Sequence, residues 1–253
     1  MDTGEFGKKV FFVYPHSVFE EHLLMDLIRA EFEIYLVKDH TRFLAVLPRF
    51  RSSLVFFNIE EALKEPEWEK ILTEIKSNAL TSTVGMGILT YNENPVLAQK
   101  YLMEIGLNCG YITLKLGLDK SREILIKTLE ANEARGRRKY VRIFCAPGSA
   151  VFNLMFYGQM LHGQVLNLSS VGMAIQFEGI LELPEGSKLS DIQIMLRGLR
   201  LIVHGVVVLK RSPEGEKPIY VLVFDLARLG ADKEKIFIYI FKSLQKDGEK
   251  LLS

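Results

Sequence analysis

The sequence predicts two domains of different class: an α/β sandwich of five β/α units over residues 1–134, then a β-barrel with a C-terminal helix over residues 135–253. Three observations carry this. A chain of 253 residues exceeds what one ordinary core needs, at roughly 100–200 residues per domain. In the first half, short and uniformly apolar runs alternate with segments whose apolar residues recur at helical spacing. After Arg142 the rhythm changes to apolar runs punctuated by glycine, with one helical pattern at the end.

Taken in order, Lys9 to Val13 reads as a strand, and Phe19, Leu23, Leu24, Leu27 and Ile28 follow at helical spacing. The pair recurs as Ile34–Val37 before Phe43–Phe50, Leu54–Phe57 before Trp68–Ile75, and Val84–Leu89 before Val96–Ile105. A fifth unit joins Tyr111–Leu114 to a helix from about Asp119 to Ala134. Strands that are apolar on both faces point to a parallel sheet covered by crossover helices on each side. In the second half the runs are Gly158–Val165, Met173–Phe177, Ile202–Leu209 and Tyr220–Phe224. Ser212 to Pro218 supplies turn residues for a hairpin between the last two. Ile236, Ile240 and Leu244 then mark one face of a terminal helix. Gly85-Met86-Gly87 lies inside an apolar run rather than opening a helix, so it reads as a backbone packing feature, not a dinucleotide fingerprint.

Composition narrows the function. Hydrophobic residues make up 48% and charged residues 25%, the balance of a folded soluble protein. A formal charge of +1 excludes the whole-surface basic field of a general nucleic-acid binder, leaving a local patch at Arg135 to Arg142. Cys109 and Cys145 belong to no CxxC or Cys/His spacing that would hold zinc, and two cysteines suit a reducing, cytoplasmic setting. The short acidic stretch Met1 to Gly7 lacks the pattern of a secretion signal, and no apolar run approaches the ~18–20 residues of a membrane span. His16, His22, His40, His162 and His204 are scattered, with no metal or acid–base pattern. Ser169 and Ser170 sit in no nucleophile elbow. We therefore expect no catalytic residues, no metal and no cofactor.

Five β/α repeats resemble the receiver domain of response regulators. That resemblance implies a magnesium-holding acidic pair after the first strand, a phosphate-accepting aspartate after the third, and a hydroxyl and a lysine after the fourth and fifth. The matching positions are Tyr14-Pro15, Asn58, Thr90 and Lys115. Hydroxyl and ammonium are retained and the carboxylates are gone. An amide is no nucleophile, and Tyr14-Pro15 cannot offer magnesium its hard anionic oxygens. This half reads as a pseudo-receiver that works by contact.

Two motifs stand in the other half. Arg137-Arg138-Lys139-Tyr140-Val141-Arg142 leads into the first barrel strand, and Asn167-Leu168-Ser169-Ser170-Val171-Gly172 follows about twenty-five residues later. Together they resemble the RxxxR and (D/N)xSxxG signatures of the PilZ domain, with Arg138 and Arg142 as one pair and Asn167, Ser169 and Gly172 as the other. The resemblance covers roughly residues 135–245 and implies a bacterial effector that binds the second messenger c-di-GMP. It adds that Arg137, just before the first motif arginine, is associated with binding a stacked ligand dimer. The residue types suit such a ligand, which joins two phosphates and two guanines in one ring. A guanidinium forks onto phosphate oxygens or the O6/N7 edge of guanine and stacks on its face. An amide and a hydroxyl can bond guanine edges, and a glycine lets backbone approach.

The expected function is a cytoplasmic sensor in which c-di-GMP at Arg137, Arg138, Arg142, Asn167, Ser169 and Gly172 changes an interdomain arrangement or a contact with a protein partner. No specific nucleic acid is expected. The alternative is a docking or scaffold protein whose receiver-like and PilZ-like domains bind no small ligand.

Overall fold

The computed structural model describes residues 7–136, 138–212 and 214–251. The described residues fall into two units, one of those up to residue 139 together with those from 244 onward, the other of those from 140 to 243.

The first unit is a parallel five-stranded sheet, β1 (Val10–Val13), β2 (Ile34–Val37), β3 (Leu54–Phe57), β4 (Gly85–Thr90) and β5 (Tyr111–Thr113), in the order β2-β1-β3-β4-β5. Every residue of β1, β3 and β4 is buried, as expected of strands with helices on both faces. Around them run α1 (Leu24–Arg29), α2 (His40–Val46), α3 (Glu65–Ser77), α4 (Pro95–Gln99) and α5 (Leu118–Ala131). A π-helical turn, Phe19–Leu23, enters α1, and another, Lys100–Ile105, prolongs α4. Phe19, Leu23, Leu24, Leu27 and Ile28, the residues at helical spacing, are all buried. The helix expected to reach Phe50 stops at Val46 and tightens into a 3₁₀ turn, Leu47–Arg49. Pro48 lacks the amide that would continue the α-helical ladder, while Leu47 keeps helical backbone and opens the 3₁₀ turn.

Gly85 and Gly87 have the packing role expected of them. A Cβ on Gly85 would stand 2.5 Å from Leu54, and one on Gly87 would meet the Cys109 carbonyl and the Phe56 ring at 2.9 Å.

The second unit is a closed barrel. Its strands are β6 (Arg142–Phe144), β7 (Ala150–Phe156), β8 (Gln159–Ser169), β9 (Gly172–Phe177), β10 (Lys188–Leu196), β11 (Leu199–Arg211) and β12 (Ile219–Phe224). The order is β6-β8-β7-β10-β11-β12-β9, and pairing of β8 with β9 closes six of the strands on themselves, all antiparallel. β6 adds to the far end of β8, beyond the stretch that β7 covers. Inward residues such as Phe152, Leu168, Met173, Ile175, Phe177, Tyr220 and Leu222 form the core. Phe177 stands edge-on to both Phe152 and Tyr220.

Two of the hairpins turn through residues with positive φ, Tyr157-Gly158 and Arg197-Gly198, the type whose twist matches that of the strands. Ser212 to Pro218 joins β11 to β12 as expected, with Pro213 outside the described residues. α6 (Asp232–Leu251) ends seven residues beyond the expected Leu244. In the second unit its start is tied by Asp232, which accepts from the Ile202 amide at 2.9 Å, and by Lys235, which donates to the Arg200 carbonyl at 2.9 Å. From Leu244 its residues belong to the first unit, where the Gln245 amide accepts from Leu36 N and donates to Ile34 O, both at 2.9 Å.

Candidate functional site

At the C-terminal end of the first unit's sheet, Asn58 is 3% exposed. Its Nδ2 donates to the Tyr14 carbonyl at 2.8 Å and its Oδ1 accepts from Glu60 N at 3.0 Å, so the amide shapes a loop. Thr90 is fully buried. Its hydroxyl donates to Glu60 Oε2 at 2.8 Å, and the Tyr91 amide donates to the same oxygen at 2.9 Å. His16 Nε2 lies 3.3 Å from that oxygen without the alignment of a hydrogen bond. Burial pushes the His16 imidazole below its ordinary value despite the opposing pull of Glu60 and Glu61. Lys115 is half-exposed and pairs with Glu93 at 3.4 Å. The Thr90 hydroxyl and the Tyr91 amide thus already hold an internal carboxylate, with the His16 imidazole beside it. The sequence points to Thr90 and Asn58, sets His16 aside as one of five scattered histidines and gives no sign of Glu60, since both lie in loops whose course no periodicity reveals.

In the basic cluster, Arg135 is committed to the first unit. Its Nε donates to the Ala30 carbonyl at 3.0 Å, its guanidinium lies 4.8 Å from the Phe32 ring centre, and it pairs with Glu130 at 3.1 Å. Arg137 lies outside the described residues, and Arg138 is exposed.

Arg142, Asn167, Ser169 and Gly172 meet in the second unit. In the β6–β8 ladder, Arg142 opposes Ser169, Ile143 opposes Leu168 and Phe144 opposes Asn167. Ile143 and Leu168 point into the barrel and are buried, while Arg142 and Phe144 point out and are exposed. Opposed residues share a face. On the other side of β8, Asn167 opposes Ala174 and Ser169 opposes Gly172. Those in turn oppose Val221 and Val223 of β12. The outer face is therefore a trough. Its floor is made of small residues that are themselves buried, Ser169, Gly172 and Ala174, with half-buried Asn167 beside them. One bank is Arg142 and Phe144, and the other is Val221 and Val223. Three strand spacings put the banks about 14 Å apart.

The motif's serine and glycine also build this surface. The β8–β9 connection has two residues, Ser170 and Val171, neither with positive φ, so its turn lacks the twist that suits a short hairpin. The Ser169 hydroxyl donates to the Gly172 carbonyl at 3.1 Å across it. That proton is spent in the turn, and the oxygen retains only acceptor capacity. A Cβ on Gly172 would stand 2.3 Å from the Leu222 carbonyl. Glycine thus permits β9 and β12 to meet.

No protein-family model matches the chain, and no curated protein matches it. Solved structures do, over the C-terminal part. The PilZ domain of YcgR from Escherichia coli with c-di-GMP is 18% identical with a TM-score of 0.36, covering 45% of this chain and 95% of that one. The Bacillus subtilis inhibitor of motility MotI is 20% identical with a TM-score of 0.37, covering 45% and 53%. The PlzA protein of Borreliella burgdorferi in complex with c-di-GMP is 14% identical with a TM-score of 0.31, covering 47% and 48%. The match takes in nearly all of the isolated domain and about half of each longer chain. Among the described residues, no helix is long and apolar enough to cross a membrane.

Proposed function

We propose that this protein is a c-di-GMP sensor whose ligand lies in the outer trough of the barrel. The observation that carries the reading is the ladder itself: Arg142 and the Asn167/Ser169 pair, from two motifs far apart in sequence, come to adjacent rungs on one outward face. Arg142 supplies a charged fork for phosphate or for the O6/N7 edge of guanine. Asn167 can both donate and accept at a guanine edge, and Ser169 offers an acceptor. Arg137 and Arg138 precede the barrel in sequence, so a ligand held by them and by Asn167 would order the connector.

Such ordering would change the interdomain arrangement, or expose a surface to a protein partner, to the extent that ligand affinity differs between two arrangements. The first unit then serves as the contact module, its hydroxyl and amide donors already occupied by Glu60.

Calorimetric titration of c-di-GMP into the intact protein tests the reading, with GTP and cyclic di-AMP as controls. Saturable and selective binding is expected. Arg138→Ala and Arg142→Ala should each weaken it about tenfold or more, the scale of one lost bidentate contact. Absence of heat and of competition, from protein shown to be folded, would sink the sensor reading.

A further inference from the structure

We infer that Phe144 touches the ligand, as an apolar plate on which one purine face of the cyclic dinucleotide rests. This rests on the reading that the trough binds c-di-GMP, and adds a residue that neither motif contains.

Phe144 is 81% exposed, whereas Phe152, Phe177 and Phe224 of the same unit are buried. It stands one step along β6 from buried Ile143 and two from Arg142, so ring and guanidinium share the outward face. Across the ladder it opposes Asn167. The Cys145 amide bonds the Leu166 carbonyl at 2.9 Å, which makes Phe144 and Asn167 a pair without mutual backbone hydrogen bonds, the kind whose side chains lie closer together.

Chemistry assigns the ring its task. A guanine has polar edges and two apolar faces. Arg142, Asn167 and Ser169 can satisfy edges and phosphates, and leave at least one face to be covered. An exposed aromatic beside them supplies that cover, with Val221 and Val223 as the apolar bank opposite. Stacking is tolerant of base identity because every base has a π-face. Phe144 therefore contributes affinity, and the polar groups contribute the choice of guanine.

The test compares calorimetry of wild-type protein with that of Phe144→Ala, and adds the fluorescence of Phe144→Trp. Phe144→Ala should weaken c-di-GMP binding roughly tenfold while keeping the preference over cyclic di-AMP and leaving the melting temperature unchanged. Tyr157→Ala, which removes a ring 93% exposed at the β7–β8 turn, should bind as wild type does. The native Trp68 is fully buried, so an indole at position 144 reports on the trough, and its emission should be quenched with the calorimetric midpoint. Full affinity in Phe144→Ala with no quenching in Phe144→Trp, while the wild type binds, would overturn this inference alone. No binding by folded wild type would overturn it together with the sensor reading.

Discussion

At the scale of single residues, the geometry of a motif and its chemistry come apart. Gly172 faces the trough, yet its lack of a side chain is demanded from the side of β12, where a Cβ would meet the Leu222 carbonyl at 2.3 Å. Gly172→Ala should therefore cost about 1–3 kcal/mol of barrel stability, read by thermal or urea unfolding, and weaken ligand binding only through that loss. A stable variant with lost affinity would show that the glycine acts on the ligand directly. His16 makes a second residue-scale prediction. Burial lowers its proton affinity in the folded state, so the unfolded chain binds the proton more readily. Its contribution to stability is full above the ordinary value of 6.5 and is lost as the pH falls below that toward the folded value. Melting at pH 7.5 and 5.5 should show the first unit losing stability on acidification, and His16→Gln losing less. Equal losses in both would remove His16 as the cause.

At the scale of elements, the β8–β9 hairpin is where sequence and structure speak most differently. The apolar strands β1, β3 and β4 were legible because burial on both faces leaves an unbroken run, and the α/β order followed from it. β7 and β10 were not separately delimited, since alternation in a half-exposed strand dilutes each run with residues such as Asn153, Asp191 and Gln193. Arg142, Asn167, Ser169 and Gly172 were legible as types at a spacing, and the ladder added what spacing cannot carry: that Phe144 shares their face, and that Ser169 spends its proton within the turn. Glu60 was illegible because its role depends on a loop folding back to Thr90 and Tyr91. Ser169→Ala should cost the hairpin about 1 kcal/mol, the net worth of one hydrogen bond. Hydrogen exchange at the amides of Gly172 and Met173 would read it, and unchanged protection would count against the turn role.

At the scale of the whole molecule, the proposed signal is a change in arrangement, so small-angle scattering with and without saturating c-di-GMP should give different profiles for the intact chain. An unchanged profile would leave a local ordering of the connector as the remaining form of the switch. The first unit also has an unusual composition: it is built from residues at both ends of the chain, because Gln245 bonds to Leu36 N and Ile34 O along the outer side of β2, the terminal strand of the sheet. A ribosome delivers β1 to α5 early, then the entire barrel, and the side chain that covers the edge of β2 emerges only afterwards. Throughout that interval the nascent chain carries an open strand edge, a surface onto which a second nascent chain can add.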